Sequence, residues 1–272
     1  MKKNKIHKIK HYIFAVLFTV LGLTVTDSLA VTDNLAANNN QAMAARISAQ
    51  QNAPGRDQYD SVKDASRKPV EVAQFSGVRA GMTVLDITTG AGYSTEILSA
   101  AVGPEGLVYA QNPHLILKLI GGRHHEAMVE RMSGERLPNV RYLIVDAEDM
   151  PFRGSIDLVN WAFNIHDVYN DGGDNEGGEA AALKDLQAMK RALKPGGILA
   201  ISDHVGVAGN DNEKLHRIET ATIISLLKQA GFVVEESSDL LANPADDHSL
   251  SIFDDGLRYH TDRVLIRARK PN

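Results

Sequence analysis

The 272-residue sequence contains no cysteine and only one tryptophan. The absence of cysteine excludes disulfide bonds, thiolate metal ligands, a cysteine nucleophile and a lipid-modified N-terminal cysteine. The sequence also lacks an excess of basic charge, because its formal net charge is −5. An acidic chain is a poor candidate for sequence-independent binding of nucleic acid. After the first thirty residues, no segment is apolar enough to span a membrane, which takes about 20 residues.

The first thirty residues differ in character from the rest. An apolar run of 14 residues, from Tyr12 to Val25, follows a basic start and precedes the small residues Ser28-Leu29-Ala30. These three parts predict a secretory signal peptide over residues 1–30, cleaved near Ala30, and therefore a periplasmic protein. Cleavage removes five lysines and one aspartate and takes the formal charge from −5 to −9. The alternative is an uncleaved N-terminal anchor. The basic start consists of Lys2, Lys3, Lys5, Lys8 and Lys10.

The next segment, residues 31–56, is rich in Ala, Asn and Gln, and it predicts a linker followed by a short helix that ends at Pro54-Gly55. A single domain is then predicted over residues 57–272. It begins with a helical stretch at 57–75, which Pro69 interrupts or restarts. The apolar face predicted for this stretch consists of Val62, Ala65, Val70 and Phe75.

From Met82 onward, short apolar strands alternate with amphipathic helices. This alternation predicts an α/β domain with a mostly parallel, seven-stranded sheet and helices on both faces. Strands are predicted at 82–87, 107–111, 140–145, 155–162, 197–203, 232–238 and 262–269. Helices are predicted at 93–102, 114–132, 179–193 and 219–230.

Residues 84–95, with the sequence VLDITTGAGYST, run from an apolar strand through a glycine-rich turn into a helix. A helix N-terminus presents free backbone N–H groups and the positive end of its dipole to a ligand. Gly90 and Gly92 can adopt positive φ and allow a ligand close to the backbone. Asp86, at the end of the strand, is predicted to face the ligand crevice. The turn therefore predicts a nucleotide-like cofactor.

Five motifs occur in a fixed order: Ala80–Asp86 leading into Gly90-Ala91-Gly92, Leu107–Ala110, Asp146-Ala147, Leu193–Gly197 and Ala230–Phe232. In this order they resemble the class I S-adenosylmethionine (SAM)-dependent methyltransferases, a Rossmann-like family. The resemblance covers about residues 56–269. It implies the class I methyltransferase fold and S-adenosyl-L-methionine as the cofactor.

A narrower resemblance lies in further motifs: AQNP at 110–113, NIHDVY at 164–169, Asp203-His204, Leu215–Ile218 and Asn243–Asp247. These are similar to a group of exported, signal-peptide-bearing bacterial proteins regarded as methyltransferases. The resemblance to this group defines no methyl acceptor.

The family resemblance assigns cofactor roles to individual positions. Asp86 would accept a hydrogen bond from the amine or methionyl end of SAM, and Gly90 and Gly92 would lie against that end. Asp146 would face the adenine amino group, supported by the backbone of Ala147. Two other roles remain open: Asp86 as a cap for the N–H groups of the turn, and Asp146 as a helix N-cap.

Two positions depart from the family pattern. Thr88 stands where the first glycine of the turn is usual, and its β-branched side chain restricts the backbone and adds bulk. Asn112 stands where the ribose-binding acid is usual, and an amide lacks the charge-assisted grip of a carboxylate on a diol. Both positions lie along the predicted cofactor path.

Polar residues after the fourth and fifth strands are candidates for catalysis. His166 is predicted as the general base, because a histidine pKa near neutral suits proton transfer, and Asp167 or Asp203 would orient it. The alternative is a polar loop whose side chains bond the backbone. The candidate catalytic residues are Asn164, His166, Asp167, Tyr169 and His204.

The histidines also raise the question of a metal. His166, His204 and His216 could gather around one pocket with Asp167 and Asp203, but no local ligand spacing supports a site, so no metal is predicted. The adjacent His124 and His125 are predicted to lie on a solvated helix face. The acidic loop over 171–179 is predicted to be a connector rather than a lid.

These observations predict SAM-dependent methyl transfer to a small-molecule acceptor outside the cytoplasm. No nucleic-acid partner and no stable membrane insertion after signal cleavage are expected. One alternative is a non-catalytic, nucleoside-like ligand-binding protein on the same scaffold, since a fold does not fix a function. Another is a hydrolase or metal-dependent enzyme that uses the histidines, but the sequence has no Gly-x-Ser-x-Gly elbow for a serine hydrolase.

Overall fold

The computed structural model describes residues 36–170 and 178–272. The predicted signal peptide at 1–30 and most of the acidic loop lie outside the described residues. The chain divides into two units, Met1–Ala42 and Met43–Asn272. Helix α1 covers residues 36–51. Among the described residues, no helix is long and apolar enough to cross a membrane.

The second unit alternates helices and strands. The strands are β1 (Thr83–Ile87), β2 (Leu107–Asn112), β3 (Val140–Ile144), β4 (Ile156–Ala162), β5 (Leu193–His204), β6 (Val233–Ser238) and β7 (Arg263–Arg269). The helices are α2 (Gln58–Arg67), α3 (Pro69–Ser76), α4 (Tyr93–Val102), α5 (His114–Leu119), α6 (Arg123–Met132), α7 (Ile165–Asn170), α8 (Glu179–Ala192), α9 (Asn212–Leu215) and α10 (Thr220–Gln229). Short 3₁₀ turns lie at Ser133–Glu135 and Ala147–Asp149.

The seven strands form one sheet in the order β3-β2-β1-β4-β5-β7-β6. The first five are parallel neighbours, and β7 runs antiparallel between β5 and β6. The predicted Rossmann-like class I methyltransferase fold is therefore confirmed. Because successive side chains in a strand point to opposite faces, Val84 enters one apolar core and Leu85 the other. Helices on both faces cover these two cores.

Some predicted elements differ from the structure. The helix predicted over 114–132 is two helices, α5 and α6, because Gly121 and Gly122 adopt φ of 63° and 80°. The segment NIHDVY, considered as a loop, is helix α7. The segment Leu193–Gly197, expected to precede the fifth strand, belongs to β5 itself and contains an irregularity, where the pairing with β4 steps from Leu193 to Ile198.

The apolar face predicted for residues 57–75 is wrong in its first half. Val62 is 60% exposed, whereas Asp60 on the same helix is 1% exposed. Asp60 is buried rather than Val62 because its carboxylate forms ion pairs with Arg131 and Lys63. Pro69 begins a second helix at its first position, where a missing N–H has no cost.

A long connection at 239–262 links β6 to β7 without helix or strand. Its backbone is fixed by the buried carboxylate of Asp246, which accepts two hydrogen bonds from Arg217 at 2.9 and 3.0 Å. The same carboxylate accepts from the backbone N–H groups of His248 and Asp262 at 3.0 and 2.6 Å. These bonds lower the pKa of Asp246 against the opposing effect of burial. The connection is therefore an ordered part of the domain.

Candidate functional site

The carboxylate of Asp86 organises the turn after β1. Its Oδ2 accepts hydrogen bonds from Thr89 Oγ1 at 2.8 Å and Thr95 Oγ1 at 2.6 Å. Its Oδ1 accepts from Asn160 Nδ2 at 2.7 Å, across the register pair that joins β1 to β4. Asp86 is 1% exposed, and burial raises its pKa despite these three bonds. None of the three donors is a backbone N–H, so Asp86 does not cap the turn.

The backbone of the turn has left-handed conformations at three alternate positions. Thr88, Gly90 and Gly92 adopt φ of 49°, 59° and 87°. Gln111 supports the first of them, because its Oε1 accepts from the Thr88 N–H at 3.0 Å. A β-branched residue with positive φ is strained, and such strain concentrates at functional sites. Thr88 therefore adopts a left-handed backbone conformation that a glycine would adopt without strain.

Replacement of Thr88 by glycine is expected to increase stability. Glycine removes a left-handed strain of about 1–2 kcal/mol, while its greater freedom in the unfolded chain offsets about 0.5–1 kcal/mol. Urea unfolding of Thr88→Gly should therefore show a net gain of about 0.5–1 kcal/mol with an unchanged m-value. The matched control is Thr83→Gly in β1, which should lose stability. A loss at both positions would show that Thr88 is not strained.

The side chain of Asn112 binds the backbone of the turn. Its Oδ1 accepts from the Gly90 N–H at 2.9 Å, and its Nδ2 donates to the Gly90 carbonyl at 2.9 Å. A third bond joins Nδ2 to the Tyr142 hydroxyl at 3.2 Å. Asn112 is completely buried. Its amide is thus occupied by the backbone in the position where a ribose-binding acid was expected.

Asp146 and Ala147 follow β3 at the same edge of the sheet. Asp146 precedes the 3₁₀ turn but makes no side-chain cap, so the N-cap role is not adopted. Its Oδ1 accepts from the His114 N–H at 3.0 Å, and its Oδ2 lies 3.3 Å from His114 Nδ1. The His114 side chain is 65% exposed and that of Asp146 is 43% exposed. Ala147 is buried in an apolar core.

Helix α6 covers the glycine-rich turn. A Cβ added at Gly92 would collide with Met128 and Arg131, and one at Gly90 would lie 3.5 Å from the His124 ring. His124 and His125 are half-buried, and each has a buried Nδ1 without a hydrogen-bond partner. The predicted solvated face at these two histidines is therefore wrong. They were missed because the helical pattern alone does not show what a helix covers.

Arg131 joins this helix to the turn and to α2 and α4. It forms ion pairs with Asp60 at 2.7 Å and with Glu96, and its Nε donates to the Ala91 carbonyl at 2.8 Å. Asp60 and Glu96 are each 1% exposed, so the charges are buried together. Arg136 binds the other oxygen of Glu96 at 2.6 Å. Four charged groups thus fix one side of the turn.

A narrow cleft with a volume of about 50 Å³ lies beside Asp86's partner Asn160. Its walls are mostly apolar, with Ile97 and Phe163 among them. The guanidinium of Arg67 lies 4.5 Å from the Tyr93 ring centroid and 4.8 Å from that of Phe163. Among the described residues, no carboxylate pairs with Arg67, and burial lowers its pKa. The cleft therefore combines an apolar lining with a cation held by aromatic faces.

The residues after β4 and β5 form a second cluster at this edge. The Asp203 carboxylate accepts from the His166 backbone N–H at 3.1 Å and lies 2.6 Å from His166 Nδ1. His166 Nε2 lies 3.1 Å from Asp167 Oδ1. Burial alone would lower the pKa of His166, but the charges and hydrogen bonds of Asp203 and Asp167 raise it to about 10. Two carboxylates that favour the protonated ring do not favour a role for His166 as a proton acceptor, and the general base stays a prediction.

His204 and His216 flank His166, as the sequence suggested. The His204 and His216 rings lie 5.5 and 5.9 Å from the His166 ring centroid. Burial and nearby cationic side chains lower the pKa of His204, whose Nδ1 lies 2.7 Å from Thr261 Oγ1. His216 Nδ1 lies 2.9 Å from the same Asp167 Oδ1 that His166 faces. The His204 ring also packs against Phe163 of the cleft at 5.1 Å.

The other two catalytic candidates have structural contacts. Asn164 accepts a long hydrogen bond from Trp161 Nε1 and donates one to Asp167 Oδ2, both at 3.4 Å. Tyr169 packs against an apolar core cluster. Trp161 itself is 1% exposed and belongs to that core.

The site can be compared with the requirements of SAM. The space at Gly90, beside the unpartnered ring nitrogen of His124, fits a ligand at the turn, whereas the space at Gly92 is filled by Met128 and Arg131. The buried carboxylate of Asp86 suits a cationic sulfonium and amine nearby. Asn112 does not offer a free group to a ribose. The residues thus fit the methionyl end of SAM, without the usual ribose contact.

Curated relatives support a family assignment. A ubiquinone/menaquinone biosynthesis C-methyltransferase, UbiE, from Idiomarina loihiensis is 30% identical over 198 residues, 71% of this chain and 66% of that protein. The protein of the same name from Pseudomonas aeruginosa strain LESB58 is 29% identical and covers 72% of this chain and 65% of its own length. The match therefore spans slightly less than two thirds of these relatives.

Solved structures agree in fold. A SAM-dependent methyltransferase from Aquifex aeolicus superposes with a TM-score of 0.53 at 23% identity, covering 77% of this chain and 95% of that one. The [4+2]-cyclase SpnF superposes with a TM-score of 0.57 at 19% identity, covering 81% and 85%. A cyclase among these neighbours shows that the fold alone does not define the reaction.

The sequence itself carries the family match. Residues 61–208, more than half of the chain, match the ubiE/COQ5 methyltransferase family. This range begins in α2, includes the turn after β1 and extends past the end of β5. Membership supports SAM as the cofactor and an enzymatic role. The chain belongs to the ubiE/COQ5 methyltransferase family.

Proposed function

We propose that the protein transfers a methyl group from SAM to a small, largely apolar acceptor at the carboxyl edge of the sheet. The observation that carries this proposal is the buried Asp86 network, which supports a turn with positive φ at Thr88, Gly90 and Gly92. The family membership of the chain supports the same conclusion. Apolar cleft walls support the acceptor class.

Each group of residues has a defined part in this reaction. Asp86 and the turn would hold the methionyl end, and Asp146 would lie near the adenine. SAM supplies an activated methyl group on its sulfonium. Phe163 and the other cleft residues hold the acceptor and exclude water, while Arg67 faces an electron-rich group on it. Rate enhancement then comes mainly from proximity and alignment.

Binding of SAM is the direct test. Isothermal titration of the full chain with SAM and with S-adenosylhomocysteine should give one site, and native mass spectrometry of freshly purified protein should detect a carried-over adenosyl compound. Sinefungin, a SAM analogue without a transferable methyl group, serves as a competitor. Absence of heat and of any thermal shift at millimolar SAM would refute the proposal.

A second candidate function is non-catalytic binding of a nucleoside-like molecule. The observation that favours it is Asn112, whose amide is held at both ends by Gly90 and offers nothing to a ribose diol. A binding protein would retain an unrelated ligand in the native mass spectrum and show no adenosyl compound. The two functions therefore predict different masses for the same sample.

We also propose that the protein is exported and cleaved near Ala30, as a member of the signal-peptide-bearing group that its motifs resemble. The support is the sequence of residues 1–30, with its basic start, apolar run and small residues. Expressed in a Gram-negative host, the protein should appear in the periplasmic fraction. Its intact mass should be that of a chain that begins at Val31. Full-length protein in the membrane fraction would indicate an anchor, and cytoplasmic full-length protein would contradict export.

A further inference from the structure

We infer that His166, Asp167 and His216 form a binding site for one divalent first-row transition-metal ion. These three residues can each direct a ligand atom to one point, because the atoms lie within 4.8 Å of one another. Two nitrogen ligands and one carboxylate oxygen are a donor set that such ions bind through protein sites with open positions. No local ligand spacing marks this site in the sequence, because His216 lies 49 residues beyond Asp167.

The distances between the ligand atoms suit a shared ion. Asp167 Oδ1 lies 3.1 Å from His166 Nε2 and 2.9 Å from His216 Nδ1. Ligands at about 2.1 Å from an ion and about 90° apart are separated by about 3 Å. Both edges match this value. An ion at this point would displace the proton between His166 Nε2 and Asp167 Oδ1 and would take a lone pair from each of the three ligand atoms.

Asp203 gives His166 the outer partner that a metal ligand requires. Its Oδ1 lies 2.6 Å from His166 Nδ1, and its Oδ2 accepts from the backbone N–H of the same residue. A carboxylate bound to one ring nitrogen fixes the tautomer and directs the lone pair of the other outward. The completely buried Asp203 therefore orients His166 Nε2 toward Asp167.

Two of the three ligand side chains are partly exposed to solvent. The His166 side chain is 2% exposed, whereas Asp167 and His216 are 35% and 40% exposed. The His216 ring also packs against Phe253 with ring centroids 4.8 Å apart. An ion can enter past the two exposed ligands and keep open positions for water or another oxygen donor.

The proposed metal site lies close to the cleft in which the proposed reaction would take place. The His204 ring lies between His166 and Phe163 of the cleft. An ion here would bind the oxygen of an acceptor at the border of the cleft, a role that rests on the proposed function. Binding of the ion itself does not rest on it.

The chain provides a matched control. His248 and Asp262 form a similar pair at 3.0 Å, and each is 20% exposed. This pair has no second histidine, and in the described part of the chain no carboxylate bonds the other ring nitrogen of His248, since the buried Asp246 bonds only the backbone N–H groups of the pair. A histidine–carboxylate pair alone would therefore not hold an ion, and the replacement of His248 should have no effect.

Direct metal measurements on the untagged full chain test the inference. After treatment with a chelator and dialysis, the protein is loaded with Zn²⁺ or Co²⁺ and measured by titration calorimetry, elemental analysis and Co²⁺ absorption. The variants are Asp167→Asn, His216→Asn and Asp203→Asn, with His248→Gln as the control. Asn is chosen at position 216 because His216 has φ of 55°, which Asn tolerates. Circular dichroism and thermal melting establish that each variant is folded.

We expect one equivalent of ion per chain and an absorption band from Co²⁺ bound to nitrogen. Asp167→Asn and His216→Asn should each weaken binding at least about tenfold, and Asp203→Asn about 10- to 100-fold. His248→Gln should bind as the wild type. Absence of a stoichiometric ion, or equal binding by all folded variants, would overturn the inference. SAM titration on the same samples tests the proposed function separately, so failure of one leaves the other measurable.

Discussion

Arg131→Met is expected to destabilise the protein by about 3–5 kcal/mol, because two buried carboxylates each lose a cationic partner and keep only Lys63 or Arg136. Asp60 and Glu96 are each 1% exposed and share the Arg131 guanidinium, which also donates to the carbonyl of Ala91 in the turn. For a domain of this size, the melting temperature should fall by roughly 6–20 °C. Thermal unfolding and urea titration both measure the effect.

The control is the same substitution at an exposed ion pair. Arg269 binds Glu235, and their side chains are 40% and 25% exposed. Arg269→Met should cost less than about 1 kcal/mol, because water screens exposed pairs. Similar losses of stability in both variants would show that the buried network contributes no more to stability than an exposed ion pair. Arg131→Met should also weaken SAM binding, since the carbonyl of Ala91 loses its donor.

Asp86→Asn is expected to weaken SAM binding about 10- to 150-fold, equivalent to about 1.5–3 kcal/mol for a hydrogen bond to a charged group. The amide keeps the shape of the side chain and can still accept from Asn160, while the threonine hydroxyls can rotate to accept from it. Stability should therefore change little, particularly since burial already disfavours the charged form by raising the pKa of Asp86. Calorimetric titration with SAM gives the affinity.

Asp157→Asn is the control that removes a negative charge away from the turn. Asp157 accepts from the Thr83 N–H at 2.8 Å and from Lys194 at 2.6 Å, at the opposite end of the β1 and β4 strands. The net charge changes equally in both variants, but only Asp86 borders the turn. SAM affinity should be unchanged in Asp157→Asn. A loss of affinity in this control equal to that in Asp86→Asn would point to a general electrostatic effect.

The strands could be predicted from the sequence because their apolar runs are local. Six of the seven begin within one residue of the expected position, and only β5 begins earlier, since Leu193 pairs with Ile156 before the irregularity. The direction of β7 was not predicted, because antiparallel pairing with β5 depends on contacts far apart in sequence. Helix boundaries failed at Gly121-Gly122, where two left-handed residues fall inside an otherwise helical pattern.

The candidate site was predicted unevenly for a similar reason. Asp86, Gly90 and Gly92 stand in one motif, so a local pattern was enough to find them. Gln111, Asn160 and Arg131 support the turn from other elements, and only their places in the sheet and on α6 reveal it. Asn160 had one available signal, a polar residue inside an apolar strand, in register with Asp86.

The role proposed for Asn112 also changes with the structure. The family pattern places position 112 opposite a ribose, and an Asn112→Asp replacement would match that pattern. In the structure the Nδ2 of Asn112 donates to the Gly90 carbonyl, so a carboxylate there would face a second acceptor while completely buried. Such a replacement would weaken the turn rather than improve the grip on SAM.

The position of β7 has a consequence for biogenesis. Among the described residues, strand β6 pairs with the sheet only through β7, which is made later in the chain. During synthesis, β1 to β5 can pair as they emerge, because domains begin to fold from the N-terminal side. β6 must remain unpaired until the 24 residues at 239–262 and then β7 have followed. A chain interrupted before Arg263 would thus expose the edge of β5 and lose two strands at once.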